Sequence, residues 1–468
     1  MNSLAGAELA QRLTDSDPDI RRCAIADYEG PGTLDAIQAF SRALRDGDKG
    51  VRDAAFRALR SIGTEEVAQA VVALIADQNI GLRNMAGELL VKLGTISLRP
   101  LYAYLQSHDQ DVRKFAVDVI GLIGNRESLL RILPLVNDPD ENVVLAVIEA
   151  AGHLGNIQAV EPLLLAYTRK EYARIPIAEA LGRLRDQRAS HLLLSEFKNE
   201  WQKSEPDQLL LFVLIEALGS VGDIEAYEAL VKEIEVGKGK LGTVLAYAAI
   251  QIATRWNETL PESAAMRECL LHALDEKNFS ITMSAVKALA VYDDDDVTMA
   301  MLRLLGWSEV LDILLHAILK QRERTLSIAT SLLETMESDK ARGVIFFVSL
   351  AAAHNTEDDG SAREAAEEVE RAFPVIARLW DQASEDTRSA IVEALFRLNG
   401  VEAISFLTRV TEDPDPWLRM RVIELLAQSS DGRVLEFVER FLEDEDEMVR
   451  ETASATVMAL QNRMGSVA

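Results

Sequence analysis

Residues 48–63 read DKGVRDAAFRALRSIG. Counted from Arg52, apolar residues stand at positions −1, +3, +6, +7 and +10, and a glycine follows at +11. This spacing gives one apolar stripe on a helix of 3.6 residues per turn, and glycine commonly follows the last residue of such a helix. The stretch therefore predicts an amphipathic helix that packs one face on a core and ends at Gly63.

The same pattern recurs at a fixed distance along the chain. It returns in residues 82–94 and 112–124, and apolar stretches at 33–45, 65–76 and 98–106 precede these helices. A period of about 31 residues is typical of solenoids, in which helical hairpins stack because no single hairpin buries its apolar face alone. We call the recurring position the arginine slot. Val144 occupies it between Arg113 and Arg174, and the other regular repeats hold Arg21, Arg52, Arg83, Arg113, Arg174, Arg388, Arg419 and Arg450.

Residues between about 185 and 385 keep the apolar pattern but lose the arginine. Leu211, Thr243 and Thr282 occupy the slot there, and the distances between slots lengthen to 37, 32 and 39 residues. The periodicity predicts an all-α fold, an α-solenoid of about fourteen helical hairpins. We expect three regions: regular repeats in 1–185, degenerate repeats with longer helices and loops in 186–384, and regular repeats with a C-terminal cap in 385–468.

Residues 295–361 are the least regular part of the chain. The acidic run at 293–296 is typical of a turn and a helix N-cap. The polar run at 354–361 is the best candidate for a long exposed loop. Whether this part holds a hinge or a plain surface loop stays open.

The motif Asp-x-x-Val-Arg-x-x-Ala-x-x-Ala-Leu-x-x-Ile-Gly resembles the short HEAT repeat, in the variety also found in phycobilisome-lyase proteins. The resemblance covers about 1–185 and 385–460. It implies that the second helix of each hairpin lines a concave face, and that the slot arginine and the aspartate before it form a ladder between repeats. Since a guanidinium is always charged and offers several planar donors, we assign the slot arginines to this structural role.

Composition limits the classes of partner. The 468 residues carry a formal net charge of −27, so neither nucleic acid nor an anionic membrane is an expected partner. No apolar stretch approaches the roughly 20 residues of a membrane span, and the first residues lack the features of a secretory signal. Cys23 and Cys269 lie far apart and form no disulfide framework, so we predict a cytoplasmic protein.

The position five residues after the arginine slot is acidic in most repeats. It points away from the apolar stripe, so its side chains should reach solvent on the concave side. Either this row binds a basic protein or peptide, or it is a solvated helix face whose carboxylates pair with residues four further on. We call its members in the first part of the chain the acidic row: Glu88, Asp118, Glu149, Glu179 and Glu216. The same position also holds Arg57, Glu393 and Glu424.

A second candidate surface lies two residues before the arginine slot. Most repeats have a small or polar residue there, but the late repeats have Trp417 and Met448. Protein interfaces are enriched in both types. Either Trp417 packs back over the neighbouring repeat, or Trp417 and Met448 lie side by side and contact a partner.

Signatures of catalysis are missing from the sequence. None of the six histidines is followed by glutamate, and there is no HExxH, P-loop, dinucleotide fingerprint or paired CxxC. We therefore predict no catalytic, cofactor-binding or metal-ligating residue. The predicted function is a noncatalytic scaffold or adaptor that binds a protein or peptide partner, a basic one being favoured, on its concave acidic face. A bilin-lyase-like accessory enzyme and a structural or assembly subunit of a larger complex remain as alternatives.

Overall fold

A computed structural model of the chain describes residues 8–237, 241–276, 278–292, 294–306, 311–318, 322–353, 361–398, 400–428 and 433–465. These residues form helices joined by short turns, and no strand occurs among them. The described helices fall into fourteen consecutive pairs, beginning with the helical residues 8–12. The predicted all-α class and the predicted number of hairpins are confirmed.

Each pair consists of a first and a second helix. After residues 8–12, the first helices are Leu34–Ala43, Glu65–Val72, Leu98–Tyr102, Leu129–Ile132, Val160–Arg169, Ser190–Trp201, Ile224–Glu235, Ala264–Leu274, Asp295–Arg303, Arg322–Leu333, Ser361–Arg378, Gly400–Leu407 and Arg433–Glu439. The second helices are Pro18–Ala26, Lys49–Ile62, Ile80–Leu93, Gln110–Ile123, Glu141–Leu154, Arg174–Leu184, Gln208–Val221, Gly242–Trp256, Phe279–Leu289, Leu311–Ile318, Ser338–Ala353, Glu385–Leu398, Pro416–Leu426 and Glu447–Gly465.

Several first helices tighten in their last turn. The stretches expected at 65–76 and 98–106 begin as α-helix and finish as 3₁₀-helix, at Ala73–Ala76 and Ala103–Gln106. The tighter turn gives i→i+3 bonds to carbonyl groups that an α-helix end leaves without a partner. The chain can therefore turn sharply into the second helix.

The turns before the second helices carry their caps. Asp48 accepts a hydrogen bond from the Val51 N–H at 3.0 Å, and Asp294 caps the helix that begins at residue 295. At the other end of the regular second helices, Gly63 has a φ of 61°, in the left-handed region that glycine tolerates best. Arg185 occupies the equivalent position after Arg174–Leu184 and has a φ of 52°.

The helices divide into two compact units. One unit is Met1–Glu233 with Gln251–Thr259, and the other is Ile234–Ile250 with Leu260–Ala468. Each unit is a stack of hairpins, the α-solenoid class, with a core of its own: Phe40 and Phe197 are fully buried in the first, and Phe347 and Phe441 in the second. The expected three-region division stays a prediction. Of the expected 354–361 loop, residues 354–360 lie outside the described residues.

Second helices in the first unit approach each other almost backbone to backbone. A methyl group added at Gly152 would lie 3.1 Å from the Ala180 Cα atom, and one added at Gly182 would lie 3.1 Å from the Ala217 Cα atom. Contacts this tight leave no space for larger side chains at these positions. They fix the register of neighbouring second helices, and with it the position of the acidic row.

Candidate partner-binding surfaces

Four slot arginines connect neighbouring hairpins through a carboxylate 25 residues further on. Arg21 donates to both carboxylate oxygens of Asp46 at 2.8 and 2.7 Å, and Arg113 donates to those of Asp138 at the same two distances. These hydrogen bonds lower the pKa of both aspartates. Arg52 in turn donates to the backbone oxygen of Asp46 at 2.8 Å. One turn residue is therefore held by the arginines of two successive repeats.

The last three repeats extend this arrangement into an unbroken chain of contacts. Arg388 donates to the Asp413 carboxylate at 2.8 Å, and Arg419 donates to the Asp413 backbone oxygen. Arg419 also donates to both carboxylate oxygens of Asp444 at 2.9 and 2.8 Å, and Arg450 donates to the Asp444 backbone oxygen at 2.6 Å. Each of these arginines bonds within the fold, so we do not assign them to partner binding.

Other slots use different contacts. For Arg83 and Arg174 the residue 25 positions on is histidine or asparagine. Arg83 is half-buried, and the guanidinium of Arg174 lies over the Tyr167 ring, 5.7 Å from its centroid. In the degenerate region the Thr282 hydroxyl donates to the Glu276 backbone oxygen at 2.9 Å, six residues back, as Arg52 does in its own repeat. A small hydroxyl residue thus replaces one of the arginine's two kinds of contact.

The acidic row lies on successive second helices of the first unit. Asp118 pairs with Lys114 at 2.7 Å and Glu179 with Arg183 at 3.8 Å, each four residues away on the same helix. The remaining three members are exposed and form no ion pair with any residue that the structure describes: Glu88, Glu149 and Glu216. The row is therefore only partly neutralised by its own helices.

Two members of the row repel each other. Glu179 and Glu216 occupy the same slot on helices that pack through Gly182 and Ala217. Desolvation raises the pKa of Glu216, and the negative charge of Glu179 raises it further. The Glu216 carboxylate reaches solvent, but the two adjacent helices replace much of the water around it. Its charge is thus unfavourable in the free protein.

The same slot in the second unit is neutralised. Glu393 pairs with Arg397 on its own helix at 2.8 Å and with Arg421 on the next second helix at 3.4 Å. Arg421 also pairs with Glu424 at 3.0 Å. The sequence analysis did not single out Arg421, although an arginine two residues after a slot arginine is a visible signal. In the first unit, no described cation bridges Glu149 or Glu216 to a neighbouring repeat in this way.

Trp417 and Met448 are exposed at the beginning of the last two second helices, with 64 % and 44 % of their surface accessible. The backbone N–H groups of both residues donate to N-cap aspartates at 3.0 and 2.9 Å, which fixes the backbone and leaves the side chains outside. The turn before Met448 is acidic, and Glu445 in that turn is exposed. The surface thus combines two large apolar groups with negative charge.

A cavity of about 520 Å³ lies at the amino-terminal end of the first unit, and the sequence analysis missed it. Its floor includes Ile25 and Phe40, and Tyr28, Arg57 and Ser61 supply polar groups. Arg57 is exposed and forms no ion pair with a described residue. The run Gly30-Pro31-Gly32, which follows the early end of the first hairpin's second helix at Ala26, is the signal that could have located it.

Within the described ranges, His, Cys, Asp and Glu side chains nowhere gather in a group of three or more that would hold a metal ion. No helix in those ranges is both long and apolar enough to cross a membrane. Cys23 and Cys269 are both free thiols.

Comparison with known proteins gives a family and a fold. A family model of HEAT repeats matches residues 6–90, 98–182 and 373–461, more than half of the chain. Curated protein sequences give no significant match. Among solved structures, Kap121p bound to RanGTP is similar over 94 % of this chain and 57 % of its own, with 11 % identity and a TM-score of 0.51. Importin beta is similar over 98 % of this chain and 74 % of its own, with 11 % identity and a TM-score of 0.41.

Proposed function

The chain belongs to the HEAT-repeat family, and we propose that it is a noncatalytic scaffold that binds a basic protein or peptide along the acidic row. The observation behind this proposal is the unpaired negative charge of Glu88, Glu149 and Glu216, on second helices of the first unit that alternate with those carrying Asp118 and Glu179. Arginine or lysine side chains of a partner would supply the missing cations. Membership of the phycobilisome-lyase type stays a prediction.

The contrast between the two units supports a binding role over a merely solvated face. In the second unit the carboxylates at this position are neutralised within the fold, because Arg421 bridges Glu393 and Glu424. In the first unit no cation among the described residues bridges Glu179 and Glu216, and desolvation together with the negative charge of Glu179 raises the pKa of Glu216. A surface that only needed solubility could spread its charges apart, since like charges at close range cost folding free energy.

Trp417 and Met448 are a second proposed contact for the scaffold, in the second unit. Apolar groups exposed to this extent can bury a large area on binding. The acidic turn beside Met448 favours a basic partner here as well. With its two free cysteines the chain suits a reducing compartment, and we place it in the cytoplasm.

Relatives of this fold are compatible with protein binding. Kap121p, which shares the fold at 11 % identity, was solved bound to RanGTP. Two alternatives have their own tests. A bilin-lyase-like accessory enzyme would shift the absorbance of bilins added to the purified protein. An assembly subunit would co-purify with its complex in a fixed stoichiometry.

The direct test measures binding of a fluorescein-labelled peptide rich in arginine and lysine by fluorescence anisotropy. Glu149→Lys combined with Glu179→Lys should weaken binding by about tenfold or more, because each reversal replaces an attraction with a repulsion. The matched control is Glu127→Lys with Glu228→Lys, the same charge change at exposed positions outside the second helices. Equal weakening by both double variants would mean that only net charge matters and would overturn the proposal.

A further inference from the structure

The cavity near Arg57 results from a mismatch in helix length. The second helix of the first hairpin, Pro18–Ala26, ends five residues after its slot arginine. The second helix of the next hairpin, Lys49–Ile62, ends ten residues after its slot arginine. On the side of the first hairpin, the last turns of the longer helix therefore extend beyond the end of the described helix Pro18–Ala26. Ala58 is only partly buried, whereas Leu89 and Val119, its counterparts in the next two repeats, are in the core.

The loop that follows the short helix forms one wall of this space. The Tyr28 hydroxyl donates to the Pro31 backbone oxygen at 3.0 Å, and the Tyr28 ring packs edge to face on Phe40. A methyl group added at Gly32 would lie 2.6 Å from the Ile62 Cγ2 atom, so the loop approaches as closely as a glycine allows. The wall is thus defined by specific contacts, and the cavity volume lies within the range of ligand sites.

The polar groups are arranged asymmetrically around the apolar floor. Arg57 occupies the same helical position as the acidic row, and Ser61 lies one turn further along the same helix. In the order of the repeats, the row thus presents one unpaired cation at its end, followed by Glu88, Asp118 and Glu149. A segment complementary to this order has positive charges and then a terminal negative charge.

We propose that the cavity binds the carboxy-terminal residue of the basic partner segment, with its apolar side chain in the cavity and its carboxylate on Arg57. A chain terminus places an apolar side chain and a carboxylate on one residue, which an internal acidic residue does not. A guanidinium binds such a carboxylate through two charge-assisted hydrogen bonds. The inference rests on the proposed function, because the upstream residues of the same segment would follow the acidic row.

The experiment compares three fluorescein-labelled peptides with the same arginine- and lysine-rich sequence. One ends in leucine with a free carboxylate, one ends in leucine amide, and one ends in glycine with a free carboxylate. We expect the first to bind at least about tenfold more tightly than either of the others, as the loss of a charge-assisted contact implies.

Variants then assign the preference to the cavity. Arg57→Gln should abolish the preference for carboxylate over amide, and Ala58→Trp should abolish the preference for leucine over glycine by filling the cavity. Arg60→Gln is the matched control, since Arg60 is exposed on the same helix and does not line the cavity. Thermal unfolding checks that each variant is folded. If Ala58→Trp does not fold, Arg57→Gln alone tests the assignment to the cavity.

The outcomes separate the two proposals. If all three peptides bind equally but the double reversal of Glu149 and Glu179 still weakens them, the terminal-residue site is overturned and the scaffold function stands. If no peptide binds the wild-type protein, both are overturned. A carboxylate preference that survives Arg57→Gln also overturns the assignment to this cavity.

Discussion

Arg419 holds both carboxylate oxygens of Asp444 in the next hairpin, at 2.9 and 2.8 Å, and both side chains are buried, with 3 % and 6 % of their surface accessible. The same guanidinium donates to the Asp413 backbone oxygen in its own turn. One side chain therefore fixes two successive turns relative to each other. The charge survives burial because all of its strong donors point at oxygen atoms.

Asp444→Ala should destabilise the protein by about 3 kcal/mol, because it leaves the Arg419 guanidinium buried without its carboxylate. Hydrogen exchange of the Pro416–Leu426 helix should accelerate accordingly. The control is Glu445→Ala. The Glu445 carboxylate lies 3.7 Å from the same guanidinium but is 86 % exposed, so its removal should lower the free energy of unfolding by less than about 1 kcal/mol. Similar losses for both variants would contradict this account of the ladder.

Arg185→Gly should stabilise the protein by about 1 kcal/mol, since Arg185 adopts a left-handed conformation that costs a residue with a Cβ atom roughly that much. Arg185 also lowers the pKa of Arg255, after the larger effect of desolvation, so its removal relieves a repulsion as well. Urea denaturation measures the gain. Arg183→Gly, two residues earlier and inside the helix, should be destabilising; a gain there would show that the conformation at 185 is not the cause.

Glu216→Gln should raise the melting temperature at neutral pH and weaken binding of the basic peptide. Because the pKa of Glu216 is raised in the folded protein, its ionised form destabilises the fold at high pH, and the penalty is relieved as the pH falls through that pKa. The gain in melting temperature should therefore shrink on acidification. Glu228→Gln serves as the control, and a gain that is independent of pH would exclude the proposed cause.

Gly182→Leu should destabilise the first unit by about 2 kcal/mol, because the new side chain has to push apart helices whose backbones are already in contact near Ala217. Arg183→Leu is the control, since Arg183 is exposed on the same helix. Circular dichroism during urea unfolding gives both values. Tolerance of Gly182→Leu would mean that the second helices can separate without cost.

Local features of the fold were predictable from neighbouring residues. The stripe in residues 48–63 predicted the helix that the structure places at Lys49–Ile62, and Gly63 ends it in the left-handed conformation. The number of hairpins followed from the repeat period in the same way. In both cases the information lies within about 30 residues of continuous chain, because helix period and capping are properties of adjacent residues.

The acidic row shows where this kind of inference ends. Its residues were identified by counting from the arginine slot. The four-residue spacing allows an ion pair both for Glu179 with Arg183 and for Glu149 with His153, but only the first pair forms in the structure. In the structure, His153 lies instead 3.3 Å from Arg183 on the next helix. Which carboxylates stay unpaired depends on contacts between helices that no local spacing encodes.

The sequence by itself determined that the chain is a series of amphipathic helical hairpins, with an arginine in most regular repeats and an outward carboxylate in most of them. Only the tertiary structure decided that Arg21 holds Asp46, that Arg421 neutralises Glu393, and that a cavity opens beside Arg57. The reason is physical: periodicity is set along one helix, whereas ion pairing and packing depend on distances between helices. Those distances are fixed only when the hairpins stack.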